Sequence, residues 1–361
     1  MTNPFNFLKR TIIPDFLGVD IGTTSLKIVE VDQGKQLPRL TNYAILESQS
    51  SLSRSNVALQ TSSLKLFEEE VEDLLRAALS KMKPKTTFAV ASLPTFAAFT
   101  TVLNFPEMNQ AELQKSMAYQ AKQYIPLPLS EVALEWSKVG EYEDAKGNKF
   151  QQVLLISVPQ EHIQKYQGIF KAVGLTLTAL EIELFSLARS LVGKDPTPTL
   201  VMDIGSRSTA FAIVDKGRLS FAAQSDFAGA SLTQALVSSL NINPLRAEEL
   251  KRERGISGIG PDYELSTIII PFLDVILNEA KRTQANYENQ FPSAPKIERI
   301  ILSGGGANLL GIEKYATRQM GVPAVKAAPL LGLEIPPLLD PLVTELNPLL
   351  AVSLGLALRE F

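Results

Sequence analysis

The chain of 361 residues contains no cysteine and a single histidine. The absence of cysteine excludes disulfides, thiolate catalysis and cysteine-ligated zinc, and one histidine excludes a site built from several histidines. That residue, His162, lies in an amphipathic segment and is predicted to be a packing residue of a helix. The chemistry of the protein therefore has to come from carboxylates, hydroxyls, amines and backbone groups.

Long hydrophobic runs and an excess of positive charge are also lacking. No apolar run approaches the roughly 18 residues of a membrane span, and the stretch STIIIPFLDVIL is interrupted by Pro271 and Asp274. The first residues do not have the charged and apolar regions of a signal peptide. The net charge of −3 provides no basic footprint for nucleic acid. We therefore expect a cytoplasmic protein that binds no nucleic acid.

The length and the order of elements predict a duplicated α/β protein. The chain is longer than one compact core usually allows. Residues 17–31 are predicted to form a hairpin, followed by a strand, a serine-rich loop, a helix and another strand. After residue 194 the same order begins again, with a hairpin over residues 200–214. A repeat of this kind sets the whole fold, and we expect a ligand in the cleft between its copies.

Two further stretches interrupt the repeat. The first is predicted to contain three strands and two helices, and the second is mostly helical. We therefore predict four units: a first unit of residues 1–93, 175–197 and 340–361, an inserted α/β unit of residues 94–174, a second unit of residues 198–229 and 296–339, and a helical unit of residues 230–295.

Two turns of the chain carry the same set of polar side chains. GVDIGTTSLKIVEV and LVMDIGSRSTAFAIVD align on their aspartates and share D-I-G followed by hydroxyls. A tight turn exposes backbone N–H groups that bind anions, whereas a carboxylate beside a phosphate indicates an intervening Mg²⁺, held through water. A plain hairpin needs none of these groups. The predicted phosphate-binding residues are Asp20, Gly22, Thr23, Thr24, Ser25 and Lys27, and Asp203, Gly205, Ser206, Ser208 and Thr209, with Asp20 and Asp203 serving the Mg²⁺.

A glycine-rich turn and a charged helix complete the candidate site. SGGGA lies between a strand and a helix, and its three glycines allow a flat group to lie against the backbone, although a tight turn is the simpler alternative. Glu248 and Lys251 share a helical face and could contact a ribose and a base, although such a pair is more often a solvated ion pair. The predicted nucleoside contacts are Gly304, Gly305, Gly306, Ala307, Glu248 and Lys251.

These motifs resemble the actin, Hsp70 and hexokinase superfamily over nearly all of the chain. The two D-I-G turns are similar to its two phosphate motifs, SGGGA to its adenosine motif, and AEELK to its nucleoside-contacting helix. The resemblance implies a two-lobed actin-like fold of duplicated RNase H-like units that binds ATP or ADP with Mg²⁺. It also implies a place for Glu183 near the attacking water, with slow ATP hydrolysis at most.

Other segments resemble a particular branch of that superfamily. The unit after AVASLP looks like the inserted SHS2 subdomain of FtsA, while FLKR, QAKQYIPLPLSEV, FKAVGLTLTALEIELFSLAR and GLALREF resemble the PilM family of type IV pilus assembly. The resemblance implies a scaffold that holds the N-terminal peptide of the inner-membrane protein PilN. It also implies contacts with the pilus platform and its motor ATPases, possible self-association, and a membrane location only through partners.

The partner groove is predicted around a proline-containing loop. Pro126 and Pro128 keep this stretch extended, and apolar residues lie between them. A loop that faces the core is an equal alternative. The predicted partner residues are Tyr119, Tyr124, Ile125, Pro126, Leu127, Pro128 and Leu129.

Two other functions remain open at this point. A filament-forming ATPase like actin or FtsA fits the same motifs. A carbohydrate kinase is the other alternative, because many such enzymes also open with DIGTTS. They need a catalytic aspartate, which usually lies in a G-D-x-Q-like segment, and this sequence contains no such segment.

Overall fold

A computed structural model describes residues 15–32, 37–48, 68–144, 146–256 and 263–359. The serine-rich loop, the FLKR segment and the last two residues of GLALREF lie outside these ranges. The described chain folds into two five-stranded sheets and one three-stranded sheet, each covered by helices.

The first sheet contains the first D-I-G hairpin. Its spatial order is β3 (Arg39–Glu47), β2 (Ser25–Asp32), β1 (Leu17–Ile21), β4 (Phe88–Leu93) and β8 (Thr176–Ile182). The first three strands are antiparallel neighbours, and β4 and β8 run parallel to β1. Helix α1 (Glu68–Met82) packs on one face, where its buried residues join those of β1 and β4 in one core. Its acidic first turn and basic last turn suit the helix dipole.

The second sheet repeats the first strand for strand. Its order is β11 (Arg218–Ser225), β10 (Thr209–Asp215), β9 (Thr199–Ile204), β12 (Arg299–Ser303) and β13 (Ala324–Lys326). Again three strands are antiparallel, and the last two run parallel to the central strand. The predicted duplication of an α/β unit is confirmed.

The third sheet belongs to the inserted stretch. It has the order β5 (Phe99–Pro106), β7 (Lys149–Pro159) and β6 (Val132–Glu143). Helix α2 (Gln110–Tyr124), which begins with a capping box formed by Asn109 and Glu112, covers one face. Helix α3 (Gln160–Ala172) follows β7 directly and packs under the first sheet. This stretch therefore has its own core and also shares that of the first sheet.

Helices supply most of the remaining structure. They are α4 (Glu183–Leu187), which continues into a π-helical turn, and α5 (Gly229–Leu240), α6 (Pro244–Arg254), α7 (Tyr263–Gln290), α8 (Ile312–Met320) and α9 (Val343–Ala357). The predominantly helical character predicted for residues 230–295 is confirmed. Among the described helices, none combines the length and the apolar character that crossing a bilayer requires.

Helix α9 joins the two sheets. A Cβ atom added to Gly18 of β1 would lie 1.9 Å from the Ser353 carbonyl oxygen, so the helix backbone lies directly against the strand. Near its start, the Pro348 carbonyl accepts a hydrogen bond of 2.9 Å from the Gly304 N–H. The sequence predicts a start near residue 347, but the helix begins at Val343, because a preceding 3₁₀ turn leads straight into it and Pro348 lies inside the helix.

Candidate functional site

A cleft of about 1660 Å³ is lined by residues of both five-stranded halves. Both D-I-G turns, the glycine-rich turn and helix α6 contribute to its walls. Two predicted residues are not among the lining residues: the Thr209 hydroxyl donates to the Phe227 carbonyl at 2.7 Å, and Ala307 is fully buried. The predicted residues that do line the cleft are Asp20, Gly22, Thr23, Thr24, Ser25, Lys27, Glu183, Asp203, Gly205, Ser206, Ser208, Glu248, Lys251, Gly304, Gly305 and Gly306.

The two D-I-G turns have the same backbone geometry. The Gly22 N–H donates to the Ser25 carbonyl at 2.8 Å, and the Gly205 N–H donates to the Ser208 carbonyl at 3.0 Å. A Cβ atom would lie 2.8 Å from that carbonyl oxygen in the first turn and 2.9 Å in the second. Each turn therefore needs glycine at the same place, which is what two copies of one phosphate-binding device predict.

Asp20 is held from two sides. Its carboxylate accepts a hydrogen bond of 3.0 Å from the Lys27 ammonium, its cross-strand neighbour, and one of 2.9 Å from the Ser92 hydroxyl. The carboxylate is almost fully buried. Lys27 therefore neutralises Asp20 in addition to any role beside a phosphate. The sequence analysis did not predict a role for Ser92. Side chains alternate along β4, so Ser92 lies on the same face of the sheet as Val90, opposite the face that packs against α3.

The donor set at the cleft fits a hydrated Mg²⁺. Within the described ranges, no three acidic or histidine side chains cluster so as to hold a metal ion by themselves. Asp20 and Asp203 line the cleft from opposite halves, and Mg²⁺ usually keeps several waters and takes one or two carboxylates besides phosphate oxygens. Since both Asp20 oxygens already accept hydrogen bonds, contact through water suits this residue.

The three positions of the glycine-rich turn differ in whether the fold requires glycine there. Gly304 has φ +77°, and a Cβ atom there would lie 2.5 Å from the Ile204 carbonyl oxygen. A Cβ atom at Gly306 would lie 2.3 Å from the Ile204 side chain, whereas Gly305 has room for one. Two glycines are thus required by the close approach of this turn to β9. The predicted base contact at this turn stays a prediction.

Glu248 and Lys251 form a partly buried network instead of a fully solvated pair. The Lys251 ammonium donates to Glu248 at 2.7 Å, to the Thr233 hydroxyl at 2.9 Å and to the Gly229 carbonyl at 3.1 Å. Burial favours the neutral form of Glu248, but the charge and hydrogen bond of Lys251, with bonds from Thr233 and Arg252, keep its pKa below the usual value. Burial lowers the pKa of Lys251 against the opposing effect of Glu248.

This network also reaches across the cleft. Arg252 donates to Glu248 at 2.9 Å and forms an exposed ion pair of 3.5 Å with Glu47 at the end of β3. Glu47 lies on the first sheet, and Arg252 lies on α6. Sequence reasoning missed both the Thr233 and the Glu47 contacts, because no local pattern links residues so far apart in the chain.

The Thr233 hydroxyl provides a test of this network. Replacing Thr233 by valine is expected to lower the free energy of unfolding by about 1–2 kcal/mol, since it removes hydrogen bonds to Glu248 and Lys251 at a buried position. Thr267→Val is the matched control, because its exposed hydroxyl only bonds to the carbonyl of its own helix. Urea unfolding measures both variants, and equal small effects would show that the network contributes little.

Glu183 is one of the residues that line the cleft. It is the first residue of α4, it is almost fully buried, and its carboxylate accepts hydrogen bonds from the Thr95 N–H at 2.9 Å and the Thr95 hydroxyl at 3.0 Å. Thr95 begins the 3₁₀ turn Thr95–Ala97 at the entry to the inserted stretch. The role of Glu183 beside an attacking water stays a prediction.

The predicted partner loop presents some side chains and buries others. Tyr119, Tyr124 and Leu127 are 70%, 49% and 40% exposed, and both loop prolines are exposed. Ile125 is buried in the core beneath α2, and Leu129 packs against that core. The core-facing alternative thus applies to Ile125 and Leu129. The other five residues are exposed and are here called, as a group, the tyrosine surface: Tyr119, Tyr124, Pro126, Leu127 and Pro128.

Comparison with known proteins places the chain among actin-like folds. The model of a family described as type IV pilus assembly protein PilM matches residues 18–361. A structure of a PilM–PilN type IV pilus biogenesis complex aligns with a TM-score of 0.79 and 24% identity over 96% of this chain and 98% of that one.

More distant structures share the same architecture. The ethanolamine utilization protein EutJ from Carboxydothermus hydrogenoformans aligns with a TM-score of 0.56 and 17% identity over 96% of this chain and 90% of that one. MreB5 of Spiroplasma citri, bound to AMPPNP, aligns with a TM-score of 0.54 and 14% identity over 94% of both chains. The two five-stranded halves described above are the two lobes of an actin-like fold.

Proposed function

Since the chain belongs to the family of the type IV pilus assembly protein PilM, we propose that it is an ATP-binding scaffold of the pilus assembly platform that binds the N-terminal peptide of PilN. The observation that carries the proposal is the family match over residues 18–361 of a chain whose cleft contains two matched D-I-G turns. The fold shared with a PilM–PilN complex supports PilN as the partner. In this proposal the protein is cytoplasmic and reaches the inner membrane only through its partners.

The proposed ligand of the cleft is ATP or ADP with Mg²⁺. The backbone N–H groups and hydroxyls of the two D-I-G turns would hold the phosphates from opposite lobes, with Lys27 adding positive charge. A bound Mg²⁺ would offset the phosphate charge, and Asp20 and Asp203 would orient its waters. Glu248 and Lys251 at one wall, and Gly304–Ala307 at another, would contact the nucleoside. A fold shared with AMPPNP-bound MreB5 supports this assignment.

The nucleotide would act as a regulator of conformation. A ligand that bridges two lobes favours whichever arrangement it binds better, so the nucleotide state would set partner affinity. Glu183 would be the residue that orients an attacking water, with slow hydrolysis at most. The proposed domain division has four units, with bounds at residues 94, 175, 198, 230, 296 and 340.

The tyrosine surface is the proposed contact for the PilN peptide. Exposed aromatic residues supply large contact areas at low entropic cost and are enriched among the residues that dominate interfaces. This surface lies on the inserted unit, where α2 covers one face of the three-stranded sheet. The opposite face of that sheet packs against the end of α7, for example through the 2.7 Å hydrogen bond from the Gln152 amide to the Gln290 carbonyl. Contacts with motor ATPases and self-association belong to the same proposal.

Truncation of the tyrosine surface tests the partner assignment. Tyr124→Ala and Leu127→Ala are each expected to weaken binding of a labelled N-terminal PilN peptide by roughly tenfold to thirtyfold, since a central interface anchor is worth about 1.4–2 kcal/mol. Fluorescence anisotropy with the full chain, with and without Mg-ATP, measures this change. Leu331→Ala is the matched control, because Leu331 is 79% exposed and lies outside this surface.

The outcomes separate the parts of the proposal. Binding that is unaffected by both substitutions would move the PilN contact elsewhere on the chain. No binding by the unmodified protein in either nucleotide state would leave an actin-like nucleotide-binding protein with another partner. Sedimentation with ATP and a panel of sugars would then test the filament and kinase alternatives.

A further inference from the structure

The two D-I-G hairpins differ at the strand position opposite the aspartate. In the first hairpin, Lys27 is the cross-strand neighbour of Asp20, and its ammonium lies 3.0 Å from that carboxylate. In the second hairpin, the cross-strand neighbour of Asp203 is Ala210, a small apolar residue. The lysine of the first hairpin therefore has no counterpart at the same register of the second.

The second hairpin carries its cation within the turn instead. Arg207 follows its aspartate at the same distance along the chain as Thr24 does in the first hairpin, and it lies between the two serines of the turn. Arg207 is partly exposed and lines the cleft. A guanidinium is thus present on the wall that belongs to the second five-stranded lobe, opposite the lobe of Lys27.

The backbone on both sides of Arg207 is fixed by hydrogen bonds. The Ser206 carbonyl accepts a bond of 2.6 Å from the Ala230 N–H in the first turn of α5. The Ser208 carbonyl accepts a bond of 3.0 Å from the Gly205 N–H across the turn. The base of the arginine side chain therefore has a defined position, and only its long side chain has to adjust to a ligand.

Three other cations that line the cleft are each held by a carboxylate. Lys27 pairs with Asp20 at 3.0 Å. Lys251 and Arg252 both pair with Glu248, at 2.7 Å and 2.9 Å. An ion pair presents much less net charge to a third group than its cation alone would, because the two opposite charges largely cancel at a distance. These pairs therefore offset little of the charge that the phosphates of a nucleotide bring into the cleft.

The chemistry of arginine suits the place of Arg207. A guanidinium is charged at every physiological pH, and its planar fork of N–H donors matches two oxygens of one phosphate. The turn that carries Arg207 also presents backbone N–H groups and the hydroxyls of its two serines, the groups that bind phosphate oxygens in such turns. The arginine thus adds a full positive charge to a turn already shaped for an anion.

We propose that Arg207 is the phosphate-binding cation of the second lobe. Its guanidinium contacts the phosphate chain of the nucleotide in the cleft, while Lys27 chiefly neutralises Asp20. The contact makes the cleft selective for the nucleotide over the nucleoside alone, because adenosine offers no phosphate to the arginine. The inference rests on the proposed function, since it names a further residue and a source of ligand selectivity in the same cleft.

The experiment compares Arg207→Gln with the unmodified full chain. Titration calorimetry measures two quantities for each protein: the Kd for Mg-ATP and the Kd for adenosine. We expect Arg207→Gln to weaken Mg-ATP binding by roughly tenfold to a hundredfold, the usual size for the loss of hydrogen bonds between charged groups. Adenosine affinity stays unchanged. A residue that only supported the fold would weaken both ligands alike.

Two further variants sharpen the comparison. Arg207→Lys keeps the charge but loses the planar fork, so its Mg-ATP affinity should lie between those of Arg207→Gln and the unmodified chain. Arg246→Gln is the matched control, because Arg246 is 53% exposed on α6, pairs with Glu249 at 3.0 Å and is not among the residues that line the cleft. Thermal unfolding checks that each variant is folded, and Arg207→Lys decides the question if Arg207→Gln is not.

The other outcomes would overturn the contact. If both Arg207 variants bind Mg-ATP as tightly as the unmodified chain, the arginine does not touch the phosphates, while the proposed function stands. Equal weakening of Mg-ATP and adenosine would mean that Arg207 acts through the fold. A loss of Mg-ATP affinity in Arg246→Gln as large as that in Arg207→Gln would assign the effect to the general charge of the lobe. An unmodified chain that binds no Mg-ATP overturns the proposed function and the contact together.

Discussion

The double substitution Asp20→Asn and Asp203→Asn is expected to weaken Mg-ATP binding by at least about a hundredfold. Asparagine keeps the size of each side chain and an oxygen for the Ser92 hydroxyl, but it removes one negative charge from each lobe. A hydrogen bond to a charged group is worth about 1.5–3 kcal/mol, so the loss of two amounts to about 3–6 kcal/mol. Titration calorimetry with ATP and Mg²⁺ measures the affinity.

Asp73→Asn is the matched control for this loss of charge. Asp73 is 81% exposed on α1, so its substitution should leave nucleotide affinity unchanged. Omission of Mg²⁺ adds a second comparison, because the doubly substituted chain should gain little from the metal. Tight Mg-ATP binding by the doubly substituted chain would contradict the assignment of both carboxylates to the metal.

Gly355→Ala is expected to lower the free energy of unfolding by about 3 kcal/mol. A Cβ atom at Gly355 would lie 2.0 Å from the Ser186 carbonyl oxygen, so α9 and α4 would have to move apart. Overpacking in a filled core costs about 1–3 kcal/mol. The clash here is with a backbone oxygen, which cannot move aside as a flexible side chain can, so we expect a cost at the upper end of that range. Chemical unfolding followed by circular dichroism measures the loss.

Gly168→Ala is the control with the opposite expected sign. Gly168 lies within α3, and a Cβ atom there meets no other atom within 4 Å. Alanine favours a helix over glycine by roughly 0.5–1 kcal/mol. The same substitution in two helices should thus destabilise one variant and stabilise the other. A Gly355→Ala chain as stable as the original would mean that α9 and α4 do not pack as described.

The fold was predictable where the sequence pattern is local. Each D-I-G turn, its flanking strands and the repeat of their order can be recognised within short stretches of chain, and both sheets confirm them. The start of α9 was predicted four residues too late, because Pro348 reads as a first-turn proline when the preceding 3₁₀ turn is unknown. The layout of the lobes came from the repeat and from the resemblance to a family.

The chemistry of the site was less predictable, because its contacts join distant residues. Gly304 and Gly306 are glycines largely because of Ile204, which lies about a hundred positions earlier. The pairing of Glu248 and Lys251 was predicted from their spacing, but the Thr233 hydroxyl that completes their network lies on a different helix. Spacing identifies which residues share a face, whereas the partner of that face depends on the tertiary fold.

The position of α9 has a consequence for how the protein is made. β1 leaves the ribosome early, yet the helix that covers Gly18 contains Ser353 and is synthesised late. At about 5–20 residues per second, roughly 17–70 seconds separate the two during translation. Throughout that interval the apolar side of the first sheet that α9 buries is uncovered, so the nascent chain would be a natural client for a chaperone until synthesis reaches this helix.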